Sequence, residues 1–166
     1  MAQITLHGNP INTNGELPAV GSPAPDFKLV DKDLNDVSLA TFAGKKKLIS
    51  IVPSLDTGVC ALSTKVFNER LGGRSDVAVL IVSADLPFAQ GRFCGAEGVD
   101  NVVTLSMMRS RNFGKDYGIL ITDGPLAGIT GRAVVVLNES NEVVYTELVP
   151  EIGQEPDYDA AIAALG

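Results

Sequence analysis

Apolar positions in this chain fall into short blocks separated by turn residues, and the spacing inside each block decides what it forms. Residues 3–20 alternate weakly, with Ile4, Leu6, Ile11 and Leu17 spaced around Gly8-Asn9-Pro10 and Asn14-Gly15. Alternation broken by such turn residues predicts a short β-hairpin. After the stiff connector 21–25, Phe27, Leu29, Val37 and Leu39 flank a polar turn over 31–36 and predict a second small strand pair. The run 48–52 is strand-sized and stopped by Pro53. A loop over 54–58 leads to a helix over 60–70, with Val59, Leu62, Val66 and Phe67 on its apolar side and Gly72-Gly73 closing it. Residues 76–83 are almost continuously apolar, as expected of a strand buried on both faces. Asp85 and Pro87 open a second helix over about 88–95. A strand over 102–105, a short helix over 109–117, a hairpin of 132–137 with 142–147 and a final helix over 156–165 complete the chain.

The order is therefore a hairpin, then βαβαβα, then a β-hairpin and a closing helix. Strands separated by helices imply right-handed crossovers and a partly parallel sheet, to which the late hairpin adds antiparallel strands. This is an α/β three-layer arrangement of thioredoxin-like type with an N-terminal hairpin extension. No repeat, low-complexity tract or linker divides the 166 residues, so residues 1–166 are expected to form one domain.

Composition narrows the partners. A net charge of −7 repels phosphate backbones and anionic lipid, and the one lysine run, Lys45–Lys47, is short. Nucleic acid and membrane are therefore not expected partners. Residues 1–27 contain no Lys or Arg and no collected apolar stretch, so a cytoplasmic location is expected. No nucleotide-binding glycine motif occurs.

The chemistry rests on scarce residues: Cys60, Cys94 and a single histidine, His7. One histidine removes most histidine-based catalysis and most zinc sites, and no metal or cofactor is expected. Two cysteines 34 positions apart do not make a disulfide scaffold. They can be a redox pair, a single bridge or buried thiols. The context of Cys60 separates these readings. It lies beside the first turn of a helix that follows a buried strand, where unpaired N–H groups and the dipole favour a thiolate. Lowering a thiol pKa from about 8.5 to about 6 raises the thiolate fraction at pH 7 roughly thirtyfold. The accompanying loss of nucleophilicity is about thirteenfold, leaving a gain of about twofold. Donors aimed at a leaving oxygen must supply the rest, and Thr57, the Cys60 N–H and an arginine are candidates. Arg132 competes for that role with Arg92, Arg109 and Arg111. Asp56 is a candidate helix cap, Glu69 and His7 are expected at the surface, and Asn138-Glu139-Ser140 reads as turn chemistry.

Pro53-x-x-x-Thr57-x-x-Cys60 resembles the active-site pattern of the peroxiredoxins, and Pro53-Ser54-Leu55-Asp56-Thr57-Gly58-Val59-Cys60 looks like the thiol peroxidase branch, the atypical two-cysteine bacterial members. The likeness continues through Gly8-Asn9-Pro10, the 21–27 and 83–89 stretches, Arg92-Phe93-Cys94, Tyr117-Gly118, Gly124-Pro125-Leu126, Arg132-Ala133-Val134 and Val149-Pro150-Glu151-Ile152. The resemblance implies a thiol-dependent peroxidase for alkyl hydroperoxides and hydrogen peroxide. It implies that Cys60 is peroxidatic, that Cys94 resolves its sulfenic acid as an intramolecular disulfide, and that thioredoxin reduces the product. Pro53 and Thr57 match the family's loop residues and Arg132 its arginine. The family has alanine before that arginine, where this chain has Gly131. A homodimer is also implied. A peroxide sensor acting through a protein partner uses the same chemistry, whereas a cysteine hydrolase would need His7 as its base.

Overall fold

A computed structural model describes residues 1–110 and 112–166. The first hairpin pairs β1 (Gln3–Leu6) with β2 (Asn9–Asn12) across a turn in which His7 and Gly8 take positive φ. Then follow β3 (Leu29–Val30), β4 (Asp36–Val37), a 3₁₀ turn (Leu39–Phe42), β5 (Lys46–Ile51), α1 (Gly58–Leu71), β6 (Val77–Ser83), α2 (Pro87–Glu97), β7 (Val103–Ser106), α3 (Asn112–Asp116), β8 (Ala133–Leu137), β9 (Val143–Leu148) and α4 (Tyr158–Ala163). The main sheet runs β4-β3-β7-β6-β5-β8-β9. Its central strands β5, β6 and β7 are parallel, and antiparallel strands flank them on both sides. The α/β arrangement and the small N-terminal hairpin expected from the pattern are thus present.

The strands β6 and β8 are buried along their whole lengths, which is why they read as unbroken apolar runs. One face of the sheet packs over Phe27, Ile51, Leu80, Phe113 and Tyr117. The other packs over Leu48, Cys60, Phe67, Phe93 and Val134. The smaller elements are shorter than expected: α3 covers five residues and α4 six.

Helix α1 buries Phe67 and half-buries Val59 and Val66, as the apolar spacing predicts, but the rest of its inward face differs. Leu62 is 45% exposed, whereas Cys60, Ser63, Thr64, Phe67 and Leu71 are buried. Ser63 Oγ and Thr64 Oγ1 donate to the Cys60 carbonyl at 3.1 and 2.8 Å. A hydroxyl that satisfies itself on its own helix can be buried cheaply. The inward face is thus made of small polar residues around one aromatic, which a hydrophobicity count overlooks.

Candidate active site

Strand register assembles the site at one edge of the sheet. The parallel strands β5 and β6 end together, with Ile51 opposite Val82. Antiparallel β8 begins where β5 ends, with Ala133 opposite Ile51. The residues just beyond these ends, 52–60, 83–85 and 132, therefore meet, as ligand sites do at the carboxyl ends of parallel strands.

Cys60 lies in the first turn of α1 and has no exposed surface. The Arg132 Nη1 donates to its Sγ at 3.2 Å. Arg132 is 2% exposed, and its Nε and Nη2 both donate to the carbonyl of Ile152, at 3.1 and 2.8 Å. That fork fixes the plane of the guanidinium and leaves Nη1 facing the sulfur. No carboxylate pairs with Arg132 among the described residues. Of its rivals, Arg109 is bound to Asp36 and the Leu34 carbonyl beside β4. Arg92 is exposed in a shallow cleft with Asp56 and Glu97, and Arg111 lies outside the described residues.

Pro53 is buried behind the loop. Thr57 is the N-cap residue of α1, but its hydroxyl donates to the Ser54 carbonyl at 3.0 Å instead of to the sulfur. Asp56 is exposed and does not cap the helix, because the chain crosses into α1 one residue later, at Thr57. His7 and Glu69 are exposed, as expected of surface residues. Asn138 Oδ1 accepts from the N–H groups of Ser140 and Glu142, which is turn chemistry.

Asp85 does more than open a helix. Its carboxylate accepts from Ser54 Oγ at 2.7 Å, the Leu55 N–H at 2.8 Å and Ser83 Oγ at 2.8 Å. It pins the loop between β5 and Cys60 to the end of β6. The one sequence signal for it was an acidic residue just past a buried strand. Gln90 continues this network into α2, donating to Ser83 Oγ and the Leu105 carbonyl, both at 3.0 Å.

Cys94 sits on α2 and is half-buried, unbridged to Cys60. It packs against the same apolar cluster as Cys60, and its neighbour Phe93 is part of that cluster. Cys94 also lines a cleft of about 500 Å³ with Lys32, Asp100 and Thr104. Burial pushes its thiol pKa up, against a smaller opposing effect from hydrogen bonding to Thr104.

With this geometry in view, likeness to known proteins decides the family. The Redoxin family model matches residues 19–162. The chain is 60% identical to the thiol peroxidase of Mycobacterium tuberculosis, over 100% of this chain and 99% of that one. It belongs to the thiol peroxidase branch of the peroxiredoxin family. The thiol peroxidase of Leptospira interrogans is 54% identical over 99% of this chain and 97% of that one. A crystal structure of a peroxiredoxin-like protein from Aquifex aeolicus superposes with a TM-score of 0.93 at 42% identity, covering 99% of this chain and 96% of that one. Membership makes the chain a thiol-dependent peroxidase, an oxidoreductase. Gly131, the residue before Arg132, is closely packed. A Cβ there would lie 3.1 Å from Ile4 Cδ1 and 3.3 Å from Ile119 Cδ1, so an alanine would require both isoleucines to give by a few tenths of an ångström.

Proposed function

We propose that Cys60 is the peroxidatic nucleophile, Arg132 its electrostatic partner and Cys94 the resolving thiol, with Pro53 and Thr57 shaping the loop between them. The observation that carries this reading is the Arg132–Cys60 contact. A buried guanidinium without a carboxylate costs several kcal/mol unless an anion faces it. The Cys60 sulfur is the group that faces its Nη1, which is where an anionic nucleophile would meet the buried cation.

The thiolate attacks the terminal oxygen of the peroxide. An S–O bond forms as the O–O bond breaks, and sulfur is oxidised by two electrons to a sulfenic acid. The other oxygen departs as an alkoxide or hydroxide, whose developing charge faces the Arg132 donors before it takes up a proton. Cys94 then displaces the sulfenic hydroxyl, forming an intramolecular disulfide and releasing water. The dithiol of thioredoxin returns the pair to thiols and is itself oxidised to a disulfide. Because the Cys60 sulfur has no exposed surface, the covering loop or α2 shifts to admit substrate. Alkyl hydroperoxides and hydrogen peroxide are the substrates of this reading, and the cytoplasm its location. Exposed Leu86 and Phe88 at the start of α2 are apolar surface for the homodimer. Among the described residues no helix is long and apolar enough to cross a membrane.

The test is steady-state peroxide consumption with thioredoxin, its reductase and NADPH. Sustained turnover is expected, abolished by Cys60→Ser and reduced to a single burst by Cys94→Ser. A one-equivalent burst from the unsubstituted protein would instead favour a peroxide sensor.

A further inference from the structure

The residues that aim Arg132 are themselves held by the N-terminal hairpin. The carbonyl that accepts both Nε and Nη2 belongs to Ile152. The Ile152 N–H donates to the Thr5 carbonyl at 2.9 Å, and the Thr5 N–H donates to the Pro150 carbonyl at 2.8 Å. Thus β1 lies alongside 150–152 as an added parallel strand segment. Between those two bonds stands Glu151. Its Oε1 accepts from Thr5 Oγ1 at 3.0 Å and from the Gly8 N–H at 2.9 Å, and its Oε2 accepts from the Gly153 N–H at 2.9 Å. One carboxylate therefore ties the strand, the hairpin turn and the segment carrying the Ile152 carbonyl. The hairpin also reaches the residue before the arginine, where Ile4 Cδ1 lies 3.1 Å from the place a Cβ on Gly131 would take.

We propose that Glu151 is a positioning residue for Arg132: it clamps 150–153 to the hairpin, and so holds the Ile152 carbonyl where it turns Nη1 onto the Cys60 sulfur. The proposal rests on the reading of Arg132 as the partner of a Cys60 thiolate. It gives the hairpin, which carries no catalytic group, a part in the reaction. Without the clamp the guanidinium keeps its charge but loses its fixed direction. A hydrogen bond weakens steeply as its N–H swings out of line with the acceptor, so the thiolate loses support.

The sign of the effect separates this role from simple electrostatics. Removing a nearby negative charge stabilises a thiolate and lowers its pKa. Loss of aim raises it. The thiolate absorbance of Cys60 near the far ultraviolet is followed against pH in a Cys94→Ser background, where one thiol remains. Glu151→Ala is expected to raise the Cys60 midpoint by about one pH unit and to slow its oxidation by hydrogen peroxide about tenfold. Glu151→Gln retains acceptor capacity but sets an amide N–H₂ against one of three N–H or O–H donors, so a smaller rise in the same direction is expected. Should Glu151→Ala fail to fold, Glu151→Gln carries the comparison. In an Arg132→Met background the Glu151 substitutions should add no further change, as for two residues acting through one contact. A lowered or unmoved midpoint in Glu151→Ala, with Arg132→Met raising it, overturns the clamp alone. An unmoved midpoint in Arg132→Met overturns the underlying reading of Arg132.

Discussion

The two cysteines stand on helices that are held in different ways. At the head of α1, buried bonds surround Cys60: Arg132 on its sulfur, Ser63 and Thr64 on its carbonyl, and Asp85 on the loop that precedes it. Around Cys94 the ties are fewer and wetter. α2 is joined to α1 by Lys65–Glu97, with both side chains at least 40% exposed, and the segment after it by Asn101 N–H to Asn68 Oδ1. Exposed ion pairs contribute about 1 kcal/mol or less. Gln90 Oε1 is buried without a hydrogen-bond partner among the described residues, and Gly91 and Gly95 lower the stability of the helix before a left-handed Gly98 ends it. On the roles proposed, one helix is preorganised for attack and the other is the more weakly held. That division suits the roles proposed for the two thiols, which stand on separate helices and must bring their Cα atoms within about 7 Å to form a disulfide.

The largest effect should come from breaking the preorganised side. Arg132→Met is expected to slow the single-turnover reaction of Cys60 with hydroperoxide by about a hundredfold or more, as loss of an oxyanion donor does. Rates within a few fold of the unsubstituted protein would remove the arginine from the chemistry. The resolving side should respond to pH. Cys94 is held above the ordinary thiol range by burial, so only a small thiolate fraction attacks the sulfenic acid. Disulfide formation should therefore quicken about tenfold per pH unit through neutrality. Alkylation-quenched time courses measure it, and a flat resolving step would refute the expectation.

Asp85 sharpens the comparison from the loop. Asp85→Ala leaves the Leu55 N–H without its partner and should cost about 1–3 kcal/mol of stability, with roughly tenfold slower Cys60 oxidation. Asp85→Asn should retain most of both, since its oxygen can serve Leu55 and Ser83 while its amide donates to Ser54. Equal losses in the two variants would show that charge, not loop geometry, matters. The smallest effect is expected in α2. A Cβ on Gly95 meets nothing within 4 Å, so Gly95→Ala fits and should stabilise the helix by about 0.5–1 kcal/mol. If α2 must open for resolution, disulfide formation slows about two- to fivefold. An unchanged resolving rate would mean that α2 stays helical.

The strand–loop–helix around Cys60 was legible because Pro53 and Gly58 punctuate it locally. The inner face of α1 was not, because Ser63 and Thr64 look solvent-facing until their bonds to the Cys60 carbonyl are seen. Arg132 stood level with Arg92, Arg109 and Arg111 by residue type. The antiparallel register of β8 on β5 brings its backbone to the sulfur, and register is a non-local property. The part played by Asp85 depends in the same way on where β6 ends beside β5. Ile152 acts through its carbonyl and leaves no side-chain signature at all.

The most direct measurement is titration of the reduced protein with peroxide, followed by mass mapping of its cysteines. One equivalent per chain should yield a Cys60–Cys94 disulfide within a single chain, and Cys94→Ser should stop at a sulfenic acid on Cys60. A protein whose Cys94 oxidises first, with Cys60 still a free thiol, would contradict the account.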